Sequence, residues 1–247
     1  MFKYFFSNQQ LTKEYLDWIW QGLVITIWIS FLTIIFSTIL SCILVATRES
    51  RILLLRWLTI IYISLFRNTP LLIQLFFWYF AIGNILPVSI IQWLNTSHQL
   101  IIFSLKITWP SFEFLAGLIS LILYSTPFIT EELRSGIYAV KYEQKFAALA
   151  LGLIRWQVMR YIILPQALKI SFSPLLGQYM NIVKNSSLTM AIGVAELSYI
   201  SRQIESQSLQ TFMAFGITTI LYITIIAIIE ALEQCRKQHL INKGKFT

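Results

Sequence analysis

Long apolar runs separated by short polar and basic stretches dominate the chain. Five of them approach or exceed the roughly 20 residues that a helix needs to cross the hydrocarbon layer. They cover 22–46, 57–86, 112–129, 170–190 and 212–229. The second is interrupted by Arg67, Asn68, Thr69 and Pro70, and the fourth contains Pro174 and Lys184. The stretch 88–107 is apolar but broken by Asn95, Thr96, Ser97 and His98, and reads as a connection with an interfacial helix rather than a sixth span. The pattern predicts an all-α integral membrane protein with five transmembrane helices in a single domain, 1–247. It does not fit a β-barrel, whose strands alternate polar and apolar residues over about ten positions. Neither a tandem nor an inverted repeat is visible, which counts against the repeat-built secondary transporters.

Composition supports the same class. Hydrophobic residues make up 57% of the 247 and charged residues 12%, against about 25% charged in ordinary soluble domains. The formal net charge of +8 would suggest nucleic acid in a soluble protein, but here the basic residues flank the apolar runs. Arg48, Arg51 and Arg56 follow the first run. Arg134, Lys141, Lys145, Arg155 and Arg160 follow the third, and Arg236, Lys237, Lys243 and Lys245 follow the fifth. These twelve of the 19 basic residues face four (Lys3, Lys13, Lys106 and Arg202) on the opposite side. The positive-inside rule then places the N-terminus outside and the C-terminus in the cytoplasm.

Cys42 and Cys235 read as small hydrophobic residues in helices, and His98 and His239 lie outside the spans. No set of intramembrane metal or haem ligands is present. No cleavable signal sequence is evident, because the polar stretch 7–17 follows the short apolar start at once. The first long run is expected to act as an uncleaved anchor.

Charges inside spans are costly and should face protein or water. Arg67 lies ten residues past Trp57, about 15 Å along a continuous helix. Either 57–66 lies along the interface and Arg67 anchors it there, or Arg67, Asn68 and Thr69 line a pathway. Lys184, Asn185, Ser186 and Ser187 form a polar cluster late in the fourth run. They contribute to a substrate path or outer gate, or Lys184 simply snorkels to the interface. Glu131 and Arg134, three apart, form a local ion pair by default, with a contact to the following cytoplasmic helix as the alternative. The sequons at Asn95 and Asn185 are chance matches.

The longest cytoplasmic connection, 134–165, reads as two short helices joined at Gly152, which suits a left-handed turn. Pro165 is expected to end or redirect the second helix. Phe146, Ala147, Ala150 and Leu151 form an apolar face at helical spacing. That face packs on the chain's own helices or in a partner's groove, and the residues alone do not decide between them.

This connection resembles the cytoplasmic loop of ABC importer permeases, whose pattern is E-A-A, three residues, G, nine residues, I-x-L-P. Ala147 and Ala148, Gly152, Ile162, Leu164 and Pro165 stand at that spacing, and Phe146 occupies the glutamate position. Phe66-Arg67-Asn68-Thr69-Pro70-Leu71-Leu72-x-Gln74-Leu75 is similar to a segment of polar amino acid permeases. Further matches are Glu131-x-x-Arg134-x-Gly136, Trp156-Gln157, Leu164-Pro165-Gln166-Ala167 and Lys184-Asn185-Ser186-Ser187-Leu188. Within that family the chain resembles the glutamate/aspartate importer permeases most. The resemblance implies a multi-pass permease subunit of the bacterial inner membrane, not itself an enzyme. It would work with a second permease, identical or paralogous, a cytoplasmic ABC ATPase dimer and an external solute-binding protein. Phe146, Ala147, Ala148, Gly152, Ile162, Leu164 and Pro165 would couple it to the ATPase. ATP and Mg would be bound by that partner. The chain contains no G-x-x-x-x-G-K-[ST] phosphate loop and is expected to bind no cofactor. The alternative, a secondary active amino acid transporter acting without an ATPase, leaves the Ala-Ala…Gly…Ile-x-Leu-Pro loop without an explanation.

Overall fold

A computed structural model describes residues 9–96, 99–102, 105–108 and 111–242. Helix α1 (Gln9–Arg48) is followed by α2 (Leu53–Arg67), α3 (Leu71–Ile85) and α4 (Val88–Asn95). An antiparallel hairpin follows, β1 (Gln99–Ile102) with β2 (Leu105–Thr108), in a register that sets Gln99 opposite Thr108. Then come α5 (Phe112–Tyr138), α6 (Tyr142–Ala150) and the single turn α7 (Arg155–Gln157). A π-helical turn (Val158–Ile163) leads into α8 (Leu164–Ser186), which tightens to a 3-10 turn (Ser187–Ile192). Helices α9 (Leu197–Ser208) and α10 (Thr211–Asn242) complete the order.

Helix α1 shows why these sequences suit lipid. Thr26, Ser30, Thr33, Ser37 and Ser41 recur every three or four residues and all are buried. Ile27, Trp28, Phe31, Ile35, Phe36, Ile39 and Ile43 on the same helix are exposed. Small hydroxyl residues inside and large apolar ones outside are the arrangement of a membrane helix, in which close backbone approach replaces the hydrophobic drive. Thr33 donates to the Ile29 carbonyl at 2.7 Å and Ser41 to that of Ser37 at 2.6 Å, whereas the buried Ser30 hydroxyl has no partner among the described residues.

Among the described residues, three helical stretches are long and apolar enough to cross a membrane: Lys13–Arg48, Phe112–Tyr138 and Thr211–Gln238. The pair α2 and α3 would make a fourth, but it is bent by 112° at the break. The continuous helix that would carry Arg67 to mid-depth is therefore not formed. Pro70, extended at φ −62° and ψ 138°, stands at the start of α3, and it has no N–H to continue α2. The fourth expected run falls in α8, a 23-residue helix whose Lys169, Gln178, Asn181, Lys184 and Asn185 keep it out of the apolar set.

The stretch 88–107 is helical over Val88–Asn95, and Gln99–Ile102 pairs with Leu105–Thr108 as a two-stranded exception in an otherwise helical fold. The β-branched Ile101, Ile102, Ile107 and Thr108 favour a pleated strand. One expectation is corrected: Pro165 does not end a helix. It is the second residue of α8 and follows the π turn without a break in the helical run.

The chain divides into two compact units, each assembled from three segments. One comprises Met1–Thr33, Pro70–Ile122 and Ile182–Ala227, and the other Ile34–Thr69, Leu123–Asn181 and Ile228–Thr247. In the first, Tyr15, Ile19, Leu197, Ile200, Ile204 and Ala214 form a buried apolar cluster. Gly22 permits this packing, since a Cβ there would lie 2.9 Å from Ile200 Cγ1 and 3.1 Å from the Leu197 Cα. In the second, Ser41 donates to the Thr126 carbonyl at 2.9 Å and Tyr62 to the Leu123 carbonyl at 2.7 Å. Thr38 and Tyr179 hydroxyls meet at 3.0 Å.

Candidate functional site

The connection after α5 folds as the residues direct. Helix α6 ends at Ala150, and Gly152 takes the left-handed conformation at φ +86°. The Gly152 N–H donates to the Leu149 carbonyl at 3.0 Å and the Leu153 N–H to that of Ala148 at 3.2 Å. This pair of bonds is a Schellman motif, which glycine adopts without a Cβ penalty. Leu153 then packs against a small core of Ala148, Val158 and Ile163, joined by Ile137, Val140, Leu149 and Ile162. Gln166 Nε2, one residue after Pro165, donates to Gln144 Oε1 of α6 at 2.6 Å.

The apolar face anticipated on α6 does not pack on the chain's own helices. Ala148 and Leu149 turn inward, whereas Phe146 is 49% exposed and Leu151 82%. Ala147 and Ala150 are exposed as well. Exposed Tyr142, Ile154, Trp156 and Tyr161 extend the surface. Of the residues matching the loop pattern, Ala148 is buried, Ile162 and Leu164 are half-buried, and Phe146, Ala147, Gly152 and Pro165 lie at the surface.

A charged cluster occupies the same unit. Arg48, at the end of α1, forms an ion pair with Glu131 on α5. Glu131 also accepts from Arg134 at 3.4 Å, which is the expected local pair. Arg134 reaches Glu49 at 3.4 Å, and Tyr138 donates to Glu49 at 2.8 Å. Arg67 is exposed, and its guanidinium carbon lies 5.6 Å from the centre of the Phe128 ring. Arg48, Arg67, Asn68, Ser64, Phe128 and Glu131, with Ile60 and Ile63, line a cavity of about 350 Å³. Asn68 leans on the Ser64 hydroxyl at 3.4 Å, and Thr69 donates to the Leu65 carbonyl at 3.0 Å.

Lys184, Asn185, Ser186 and Ser187 belong to the other unit and straddle the change from α8 to the 3-10 turn. Lys184 is exposed, and Asn185 and Ser187 are half-buried. Ser186 is fully enclosed and donates to the Val183 carbonyl at 2.8 Å. The 3-10 turn ends at Gly193, φ +89°. Nearby in the chain, buried Glu196 caps α9, accepting from the Ser198 and Tyr199 N–H groups at 2.9 Å each. Tyr222 donates to it at 2.6 Å. Burial pushes the Glu196 carboxyl above the ordinary carboxylate range, and these hydrogen bonds oppose that rise.

Sequence reasoning did not single out Arg48 and Phe128 with Arg67, Gln144 with Gln166, or Glu196 with Tyr222. Gln144 and Gln166 lie 22 residues apart and Glu196 and Tyr222 lie 26 apart, Phe128 is distant in the chain from Arg48 and Arg67, and nothing local marks these pairs. Cys42 and Cys235 are exposed free thiols. His98 lies outside the described residues, as does the His239 side chain. Among the described residues, no group of His, Cys, Asp and Glu could hold a metal ion.

Helices with lipid-suited surfaces and a short helix presenting an exposed apolar face describe a membrane protein. The family model for the binding-protein-dependent transport system inner membrane component matches residues 39–234. The chain belongs to that family. It is 31% identical over 216 residues to the glutamate/aspartate import permease protein GltJ of Escherichia coli strain K12, covering 87% of this chain and 84% of that protein. It is 32% identical over 221 residues to the probable amino-acid ABC transporter permease protein YckA of Bacillus subtilis strain 168, covering 90% and 88%. A chain from the crystal structure of an amino acid ABC transporter with histidines superposes with a TM-score of 0.76 at 26% identity, covering 92% of this chain and 96% of that one.

Proposed function

We propose that this chain is the permease subunit of an ATP-driven, binding-protein-dependent importer of a polar amino acid, glutamate or aspartate. The whole chain acts as one permease domain of the inner membrane. It has five membrane crossings, with the N-terminus outside and the C-terminus in the cytoplasm. The 23 residues of α8 are about 35 Å long, enough for a crossing, and its polar residues suit a surface that faces a pathway rather than lipid.

The observation that carries the reading is the exposed face of Phe146, Ala147, Ala150 and Leu151 on α6. Outside the membrane such a face calls for a partner, and a short helix with small alanines suits a groove. The partner is a cytoplasmic ABC ATPase dimer, which binds ATP and Mg. Helix α6 is the coupling helix. Gly152 and the Ala148–Val158–Ile163 core hold it in place, and Ile162, Leu164 and Pro165 join it to α8. ATP-driven closure of the ATPases moves α6, and α8 carries the motion into the membrane. A second permease, identical or paralogous, completes the pathway, and a solute-binding protein delivers the amino acid. Arg67, Asn68, Thr69, Lys184, Asn185 and Ser187 face the path, and Ser186 supports them from within the helix turn. The substrate assignment draws on GltJ, which is named for glutamate and aspartate.

The test is ATPase activity of the reconstituted complex with its binding protein and a panel of amino acids. Stimulation by glutamate or aspartate, dependent on both this chain and the binding protein, is the expected result. Uptake that follows an ion gradient with no ATPase attached would overturn the reading.

A further inference from the structure

The cavity of about 350 Å³ lined by Arg48, Arg67, Asn68, Ser64, Phe128 and Glu131 has a use that an interfacial anchor does not explain. Two guanidiniums and one carboxylate line it, so its wall carries one positive charge in excess. The Arg48 guanidinium is occupied by Glu131, which also takes Arg134. No described carboxylate pairs with Arg67. Instead its guanidinium sits over the Phe128 ring at 5.6 Å. A cation–π contact of this kind leaves the guanidinium N–H donors without a carboxylate partner. The volume falls within the roughly 300–1,000 Å³ of small-molecule sites. Leu54, Leu58, Ile61 and Leu65 are exposed at helical spacing on another face of the same helix α2.

We propose that this cavity is an anion site in which Arg67, aided by the Asn68 amide, binds one carboxylate or phosphate group. An arginine fork matches either anion bidentately. A single such group would neutralise the excess charge. Two sources share this chemistry. One is the headgroup phosphate of an anionic phospholipid whose acyl chain follows the apolar face of α2. The other is the side-chain carboxylate of an acidic amino acid in transit, and that source alone rests on the function proposed above.

The experiment uses the intact permease–ATPase complex in nanodiscs, without binding protein. One arm measures binding of radiolabelled L-glutamate and L-aspartate in phosphatidylcholine discs. The other measures retention of phosphatidylglycerol from mixed discs by native mass spectrometry. One arm should show saturable binding, weakened tenfold or more by Arg67→Ala, less by Arg67→Lys, and unchanged by Arg56→Ala. The arm that responds names the source. Absence of binding in both arms overturns the site, as does Arg67→Ala matching the wild type at unchanged thermal stability. Should Arg67→Ala fail to assemble, Arg67→Gln carries the same comparison, because it keeps an amide donor and removes the charge. Binding-protein-stimulated ATPase activity, measured on the same complexes, separates this inference from the function reading. Stimulation without anion binding leaves the importer assignment intact and removes the site.

Discussion

Gln166 Nε2 donates to Gln144 Oε1 across 2.6 Å, fastening the first turn of α8 to α6. A neutral hydrogen bond of this kind contributes about 0.5–1.5 kcal/mol net, less when it is open to water, as this one is. Its value would lie in transmission rather than stability. In a double-mutant cycle, Gln144→Ala and Gln166→Ala should each change the unfolding free energy by under about 1 kcal/mol. Each should also reduce the uptake obtained per ATP hydrolysed, and the double mutant should lose no more than either single one. Fully additive losses would mean that the two residues act separately.

Gly152 occupies φ +86° with nothing within 4 Å of where a Cβ would sit. Substitution therefore strains the backbone without causing a collision. A left-handed conformation costs an L-residue about 1–2 kcal/mol. Gly152→Leu should destabilise the α6 turn by that order and abolish ATP-driven uptake while the remaining fold persists. Normal coupled uptake by this variant would remove α6 from the coupling role.

Exposure predicts a separation between docking and folding at Phe146 and Leu151, which are 49% and 82% exposed. Surface substitutions away from special features change stability by about 0.5 kcal/mol or less. Phe146→Ala should have a modest effect. Leu151→Asp should leave the thermal midpoint of the isolated permease in place yet reduce co-purification of the ATPase. Unchanged co-purification would argue that the exposed face contacts nothing.

Close approach of α5 and α8 depends on Gly136. A Cβ there would lie 2.7 Å from the Ala167 carbonyl oxygen and collide with the Ser171 hydroxyl. That hydroxyl donates to the Glu132 carbonyl at 3.0 Å. Gly136→Ala should cost about 1–3 kcal/mol by overpacking, read as a lower thermal midpoint in detergent. Adding Ser171→Gly should recover part of the loss.

Glu196 links stability to pH. Its carboxyl titrates above the ordinary value because burial disfavours the charge, so the folded state holds the proton more tightly than the unfolded chain. Its contribution is fully present below the unfolded value of about 4.3 and is lost as pH rises through the raised folded value. The thermal midpoint should carry a component that falls across that window. Glu196→Gln should remove the component. It should also be less stable at low pH, since an amide cannot accept from Ser198, Tyr199 and Tyr222 together. A wild-type profile that is flat through the window would contradict this assignment.

Much of this molecule was legible in one dimension. The apolar runs marked the long helices because crossing hydrocarbon requires length and leaves no choice of composition. Gly152 marked its own turn because only glycine enters that conformation freely. The Ala-Ala…Gly…Ile-x-Leu-Pro spacing pointed to the family that residues 39–234 match. Tertiary structure decided what depends on which surfaces meet. The residues at 99–102 and 105–108 could serve an interfacial helix or a hairpin, and strand pairing settled it. Pro165 could stop a helix or lie within one, and here the helical run passes through it from the π turn into α8. The apolar residues of α6 could turn inward on either side, and the Ala148–Val158–Ile163 core took one side and left Phe146 and Leu151 outside. Arg67 meets Phe128 in one cavity with Arg48 and Glu131 only because α1, α2 and α5 pack together. Local pattern sets helix length and turn chemistry, whereas partners distant in sequence are chosen by packing.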